Sequence, residues 1–215
     1  MSLRDETLRY LGYRGQELGP AEEDALVRAI SECGKISKPA RVWREFELYN
    51  APGGLGVGGT VLTLPGKDVS RLLCGCQRVI LSAVTLGLGL DREISLQFRR
   101  DASFGLFLDA AASAFIEEAC DRLEAELRDD AQSRGFFLSR RYSPGYGDLP
   151  LSVQPLILEI LDTGRRIGVT CSPSFIMTPR KSVTAITGLN KDKPPDAANS
   201  CKGCDKQYSC PYRRP

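Results

Sequence analysis

The sequence predicts an α+β fold with a largely antiparallel sheet. Three observations predict it. Elements of different type follow one another with short connections and no repeating βαβ rhythm. Apolar residues alternate with period two over residues 41–49 and again over 182–189. Between these strands, residues 104–133 carry apolar residues at helical spacing, long enough to back a sheet.

The elements follow in order. Residues 2–11 read as a short helix with Leu3, Thr7, Tyr10 and Leu11 on one side, Ser2 or Asp5 as cap, and Gly12 as terminator. Pro20 suits the first position of a second helix. Glu22, Glu23 and Asp24 favour its positive end, and Gly34 ends it. Its apolar face is Ala25, Leu26, Ala29, Ile30 and Cys33. In the strand 41–49, Val42, Arg44, Phe46 and Leu48 share one face. Residues 50–59 are glycine-rich and 60–64 read as a short strand, together a long hairpin.

Asp68 is placed to cap a short helix through Val69, Leu72 and Leu73, with Gly75 as its C-terminal cap. Residues 78–86 form a strongly apolar run, expected as a central strand. Residues 91–100 read as helical. After the long helix, Gly135 and Phe136 open a strand, 151–161 a helix, 166–171 a strand, and 182–189 the last strand. The charged second half of the long helix, including Asp121 and Glu124, reads as a solvated face. Glu117 and Glu118 read as an exposed pair, or as partners for a ligand amine or an arginine.

Composition excludes several functions. The chain has 215 residues, a formal net charge of +2 and no histidine. That charge is too small for a nucleic-acid surface, and no basic-aromatic stripe appears. No apolar run approaches a membrane span. The acidic N-terminus has no hydrophobic signal core, so a cytoplasmic location is expected. Without histidine, Ser-His-Asp and Cys-His chemistry within the chain are excluded. Gly54-x-Gly56-x-x-Gly59 matches a dinucleotide fingerprint on paper but runs into a strand and not a helix. Gly66-Lys67-Asp68 lacks the first glycine and the hydroxyl of a P-loop.

The stretch richest in binding chemistry is Arg141-Tyr142-Ser143-Pro144-Gly145-Tyr146, between a strand and a helix. Pro144 and Gly145 favour a tight turn with exposed backbone N–H groups. Arg141 offers a planar fork for a carboxylate. Tyr146 offers a ring face and a hydroxyl. The set suits a small zwitterionic or nucleoside-like ligand. A Pro-Gly turn among solvated arginines is the plainer account.

This hexapeptide resembles the Arg-x-x-Pro-Gly-Tyr signature of the activation (reactivation) domain of cobalamin-dependent methionine synthase. Ser174, Met177, Pro179, Ser182 and Val183 resemble that family's Ser-x-x-Met-x-Pro-x-x-Ser-Val segment, in the correct order. Leu8-Arg9-Tyr10-Leu11-Gly12-Tyr13, Thr85-Leu86-Gly87 and Leu108-Asp109-Ala110 resemble its free-standing branch. The resemblance reaches to about Leu189 and implies a twisted antiparallel sheet flanked by helices. It implies S-adenosylmethionine as ligand, with Arg141 at the methionyl carboxylate. Ser143, Gly145 and Tyr146 would line the ligand, Ser143 through its main chain. The family's N-terminal aspartate has no assigned counterpart here.

The resemblance also implies action on a cobalamin carried by a partner, either a methionine synthase lacking its own activation domain or another corrinoid methyltransferase. An electron donor such as flavodoxin or ferredoxin is implied with it. The protein's share would be positioning, and it would be an activation component rather than a complete enzyme.

Three segments are expected: a helical one at 1–40, an activation-domain-like core at 41–190, and an irregular tail at 191–215. The tail holds Cys201, Cys204 and Cys210. In a reducing compartment three thiols so close suggest metal ligands, for zinc or an iron–sulfur cluster. A free, oxidised or metal-free stapled tail is the alternative. A fourth ligand would come from elsewhere, Cys171 being one candidate by chemistry alone. The resembled domain has no such tail. Two rival functions stay open: a thiol-ligated metal or iron–sulfur redox protein serving a corrinoid enzyme, and an adaptor that binds a corrinoid protein without any small ligand.

Overall fold

The computed structural model describes residues 2–192. A six-stranded sheet runs in the order β3-β2-β1-β4-β8-β5. The strands are β1 (Ala40–Ala51), β2 (Gly54–Val57), β3 (Thr63–Leu64), β4 (Arg78–Thr85), β5 (Phe137–Leu138) and β8 (Ser182–Asn190). Each of these pairings is antiparallel. A separate hairpin joins β6 (Thr170–Cys171) to β7 (Met177–Thr178). The fold is α+β with a largely antiparallel sheet, as the period-two segments predict.

The central strand β4 is apolar on both faces because helices cover both. Ile80 and Val84 face the helices α1 (Leu3–Tyr10), α2 (Pro20–Ile36), α4 (Leu88–Arg100) and α5 (Ala102–Ser133). Val79, Leu81 and Ala83 face the opposite core with Val42, Phe46, Ile157 and Leu161. That second layer holds α3 (Lys67–Leu72), α6 (Gln154–Ile160) and α7 (Thr163–Ile167). Helix α5 is the spine of the first layer. Leu108, Ala111, Ala112 and Leu123 are buried along it, and the alanines let neighbouring backbones approach.

Four details depart from the sequence reading. Asp68 does not cap α3. The amides of Lys67 and Asp68 bond instead to the carboxylate of Asp148, at 2.5 and 3.1 Å. A tertiary cap of this kind leaves no local signal. Residues 163–167 are helical and overlap the start of the strand expected at 166–171. Asp162 and Gly168 both take left-handed backbone there, and extended structure is confined to Thr170–Cys171. Helix α4 starts at Leu88, because Gly87 adopts φ 86° and donates to Thr85 Oγ1. The segment 151–161 opens with a 3₁₀ turn, Leu151–Val153. Among the described residues no helix is long and apolar enough to cross a membrane.

Candidate functional site

Residues 139–142 continue the β5 edge of the sheet along β8. Ser139 donates to Gly188 O, and Tyr142 exchanges two backbone bonds with Ile186 at 2.8 and 2.9 Å. Alternation then sends neighbouring side chains to opposite faces. Arg141 turns toward α5, while Tyr142 packs on the core of the other face.

On α5, Glu117, Asp121 and Glu124 stand at i, i+4 and i+7, one face of the helix. All three carboxylates meet Arg141, at 2.7, 2.5 and 3.0 Å. Glu124 also holds Arg128 at 2.6 Å, and Glu118 faces away to Arg122. Three carboxylates against two guanidinium groups leave the cluster with excess negative charge. The Arg141 side chain is 19% exposed, and Asp121 at 54% is its most exposed partner. Burial opposes the Arg141 charge. The Asp121 hydrogen bond and the Glu117 charge outweigh that and hold its pKa raised.

Tyr10 of α1 lies within reach of the same field. Burial first, then the Glu117 charge, push its phenol up to about 12. Cys120, buried one turn away, is pushed up to about 12 by burial. The carboxylate ladder was visible in the sequence as helical spacing, but the charged half of α5 read as a solvated face. Only the sheet edge opposite it reveals the partner.

Beneath Arg141 the crevice between α5 and the sheet is lined by Cys120, Leu123, Val183 and Ala185 and has a volume of about 10 Å³. That is at the limit for a single water. The crevice under the guanidinium is thus too small for more than a water. The crevice does bring together the two sequence motifs, through Arg141 and Val183. The rest of the second motif leads into β8: Ser174 is exposed, Met177 lies on β7, and the Thr178–Pro179 peptide is cis.

The loop 143–149 is a compact turn. Pro144 is buried and Gly145 takes φ 92°. The N–H groups of Gly145 and Tyr146 bond within the loop, to Leu149 O and Ser143 O. They are not left exposed, as the turn chemistry had suggested, because the loop closes on itself. Tyr142 Oη donates to Tyr146 O at 3.0 Å and braces the turn from below. The two tyrosine rings sit 6.5 Å apart at 56°. Tyr146 is 66% exposed, and the exposed Leu151 packs beside Gly145. Ser143 is half-buried at the start of the turn. Asp148, at its end, anchors the loop to α3. The backbone hydrogen bond from Lys67 holds the Asp148 carboxyl below its usual range.

Cys201, Cys204 and Cys210 lie outside the described residues. Cys171 is half-buried, with Gln154 Nε2 at 3.8 Å from its sulfur. Among the described residues no cluster of three or more cysteines, aspartates or glutamates could hold a metal ion.

No family model and no curated protein matches the chain. Among solved structures, the chain is similar to the "Crystal Structure of the MetH Reactivation Domain bound to AdoHcy", with a TM-score of 0.64 and 16% identity. The match covers 93% of this chain and 79% of that one. The chain has the fold of the MetH reactivation domain.

Proposed function

We propose that the protein binds S-adenosylmethionine along the edge formed by residues 140–147. There it would support reductive methylation of cob(II)alamin on a separate methionine synthase or corrinoid methyltransferase. The observation that carries this reading is the position of the Arg141–Tyr146 motif. It stands on a sheet edge beside an acidic helix face, in a fold shared with a domain crystallised with AdoHcy.

The residues fit the ligand's charges. S-adenosylmethionine carries an ammonium, a sulfonium and a carboxylate, so its net charge is positive. Excess negative charge at Glu117, Asp121 and Glu124 favours such a cation. The ligand's carboxylate can take the place of Asp121, the most exposed of Arg141's partners. The released Asp121 then faces the ammonium, so charges are exchanged rather than left unpaired. Ser143 and Gly145 border the ligand through main chain, and the exposed Tyr146 ring offers a face to the sulfonium.

The ligand supplies a transferable methyl group. The chain's own part is to hold that group outward and still. In the overall reaction, cob(II)alamin takes one electron from an external donor, such as flavodoxin or ferredoxin, and the methyl group from the sulfonium. Methylcobalamin and AdoHcy result. No general acid or base is needed, which suits a chain without histidine. The division of the chain into a helical segment 1–40, an activation-domain-like core 41–190 and a tail 191–215 is part of this proposal.

The test is conversion of cob(II)alamin on a purified corrinoid protein, followed by visible absorbance with a chemical reductant. Methylcobalamin should accumulate only when this protein and S-adenosylmethionine are both present. Equal accumulation without the protein would overturn the proposal.

A further inference from the structure

The chain leaves α3 through a tight turn with a thiol on either side of its glycine. The amide of Cys76 donates to Leu73 O at 3.0 Å, which closes a β-turn over residues 73–76. Gly75 takes φ 77°, the left-handed region that glycine enters without steric cost. This reversal holds the Cα atoms of Cys74 and Cys76 within the window of roughly 4.4–6.8 Å that a disulfide spans.

The two thiols have different surroundings. Cys74 is exposed. It lines an open groove of about 1060 Å³ together with Lys67, Ser70 and Arg71. Cys76 is half-buried, its sulfur pressed on β8: a methyl on Gly188 would come within 2.5 Å of it. Burial first, and then the Cys74 charge, push the Cys76 thiol up to about 11. One thiol is open to reagents, and the other waits protonated behind it. Packing accounts for Cys76 but not for Cys74. Cys33 and Cys120 are buried in the core under α5, and Cys171 sits beside Gln154. Among the described residues Cys74 is the one exposed cysteine.

We infer that Cys74 and Cys76 are a redox-active dithiol that exchanges with small anionic disulfides, with Cys74 as the attacking thiol and Cys76 as the resolving one. Cys74 loses its proton to water, and its thiolate attacks one sulfur of the small disulfide. A bond to Cys74 forms and the first small thiolate leaves. Cys76 then gives up its proton and attacks the Cys74 sulfur, and the second small thiolate leaves. The protein is oxidised by two electrons, and the small disulfide is reduced to two thiols. Lys67 and the 72% exposed Arg71 beside Cys74 favour a disulfide that carries carboxylates. A disulfide across a single residue closes a small, strained ring. Such a bond is easily reduced, so the oxidation reverses. This chemistry does not depend on S-adenosylmethionine, which is proposed to bind at other residues.

The test incubates the full chain, reduced and freed of reductant, with glutathione disulfide. Free thiols are then blocked and the peptides mapped by mass. A Cys74–Cys76 bond is expected, with about two glutathiones released per bond, and it should reopen in excess glutathione. Cys76→Ser should stop at a stable mixed disulfide between Cys74 and glutathione. Lys67→Gln combined with Arg71→Gln should slow exchange with glutathione disulfide severalfold and leave exchange with neutral hydroxyethyl disulfide unchanged. A wild type that stops at the mixed disulfide, or that pairs Cys74 with a different cysteine, would overturn the dithiol. Equal slowing with both reagents would overturn the part given to the groove.

Discussion

Arg141 has a structural role and a proposed binding role, and substitutions separate them. Arg141→Ala leaves Glu117, Asp121 and Glu124 facing one another without their shared cation. Denaturant unfolding should show a loss of about 1–3 kcal/mol. Arg141→Lys keeps the charge but not the fork, so stability should largely survive. Ligand affinity should nevertheless fall by about tenfold or more, since a point charge cannot grip a carboxylate bidentately. Affinity unchanged in Arg141→Lys would count against the fork. Asp148 has a pH signature. Backbone N–H bonds from Lys67 and Asp68 depress its pKa below 3.8. Its contribution to holding the loop on α3 is therefore present above about pH 4 and is lost as pH falls through the depressed value. The Lys67 and Asp68 amide shifts should titrate together in that acidic range. Asp148→Asn should abolish the coupled titration.

At the scale of elements, helix α5 joins the core to the site. Its buried face packs α1, α2 and α4 onto the sheet, and its charged face holds Arg141. Leu108 is fully buried in that packing. Leu108→Ala should cost about 2–5 kcal/mol in urea unfolding, through lost burial and the cavity left behind. A cost below 1 kcal/mol would mean the helix packs loosely. Helices of this kind were legible because their apolar spacing repeats over many turns, and β4 because its whole run is apolar. What was illegible depends on tertiary partners. The cap of α3 comes from Asp148, some eighty residues away. The short helix α7 depends on left-handed backbone at Asp162, a conformation a sequence does not announce for aspartate. The acidic ladder of α5 was visible as spacing, yet nothing local distinguishes a solvated ladder from one that clamps an arginine.

For the molecule as a whole, one sheet with helices on both faces brings two exposed surfaces to its margins. The β5 edge carries the Arg141–Tyr146 loop, and the α3 turn carries Cys74 beside the end of β8. Asp148 connects them, since it ends the loop, caps α3 and lines the groove beside Cys74. Gly188 fixes the approach of β8 to the α3 turn. Gly188→Ala would force a methyl to 2.5 Å from Cys76 Sγ and 2.7 Å from Leu73 Cδ2. It should destabilise the fold by about 1–3 kcal/mol by overpacking, as thermal unfolding would show. The order of the two motifs along the chain was legible in the sequence. Their meeting at one crevice through Arg141 and Val183 required the register of β8.

On the proposed function, the outer edge around Arg141 binds S-adenosylmethionine. Calorimetric titration of the ligand into wild type, Arg141→Ala and Tyr146→Phe tests it most directly. Saturable heat is expected in the wild type, with loss of binding in Arg141→Ala and smaller weakening in Tyr146→Phe. No heat in the wild type, or equal affinity in all three proteins, would contradict the assignment.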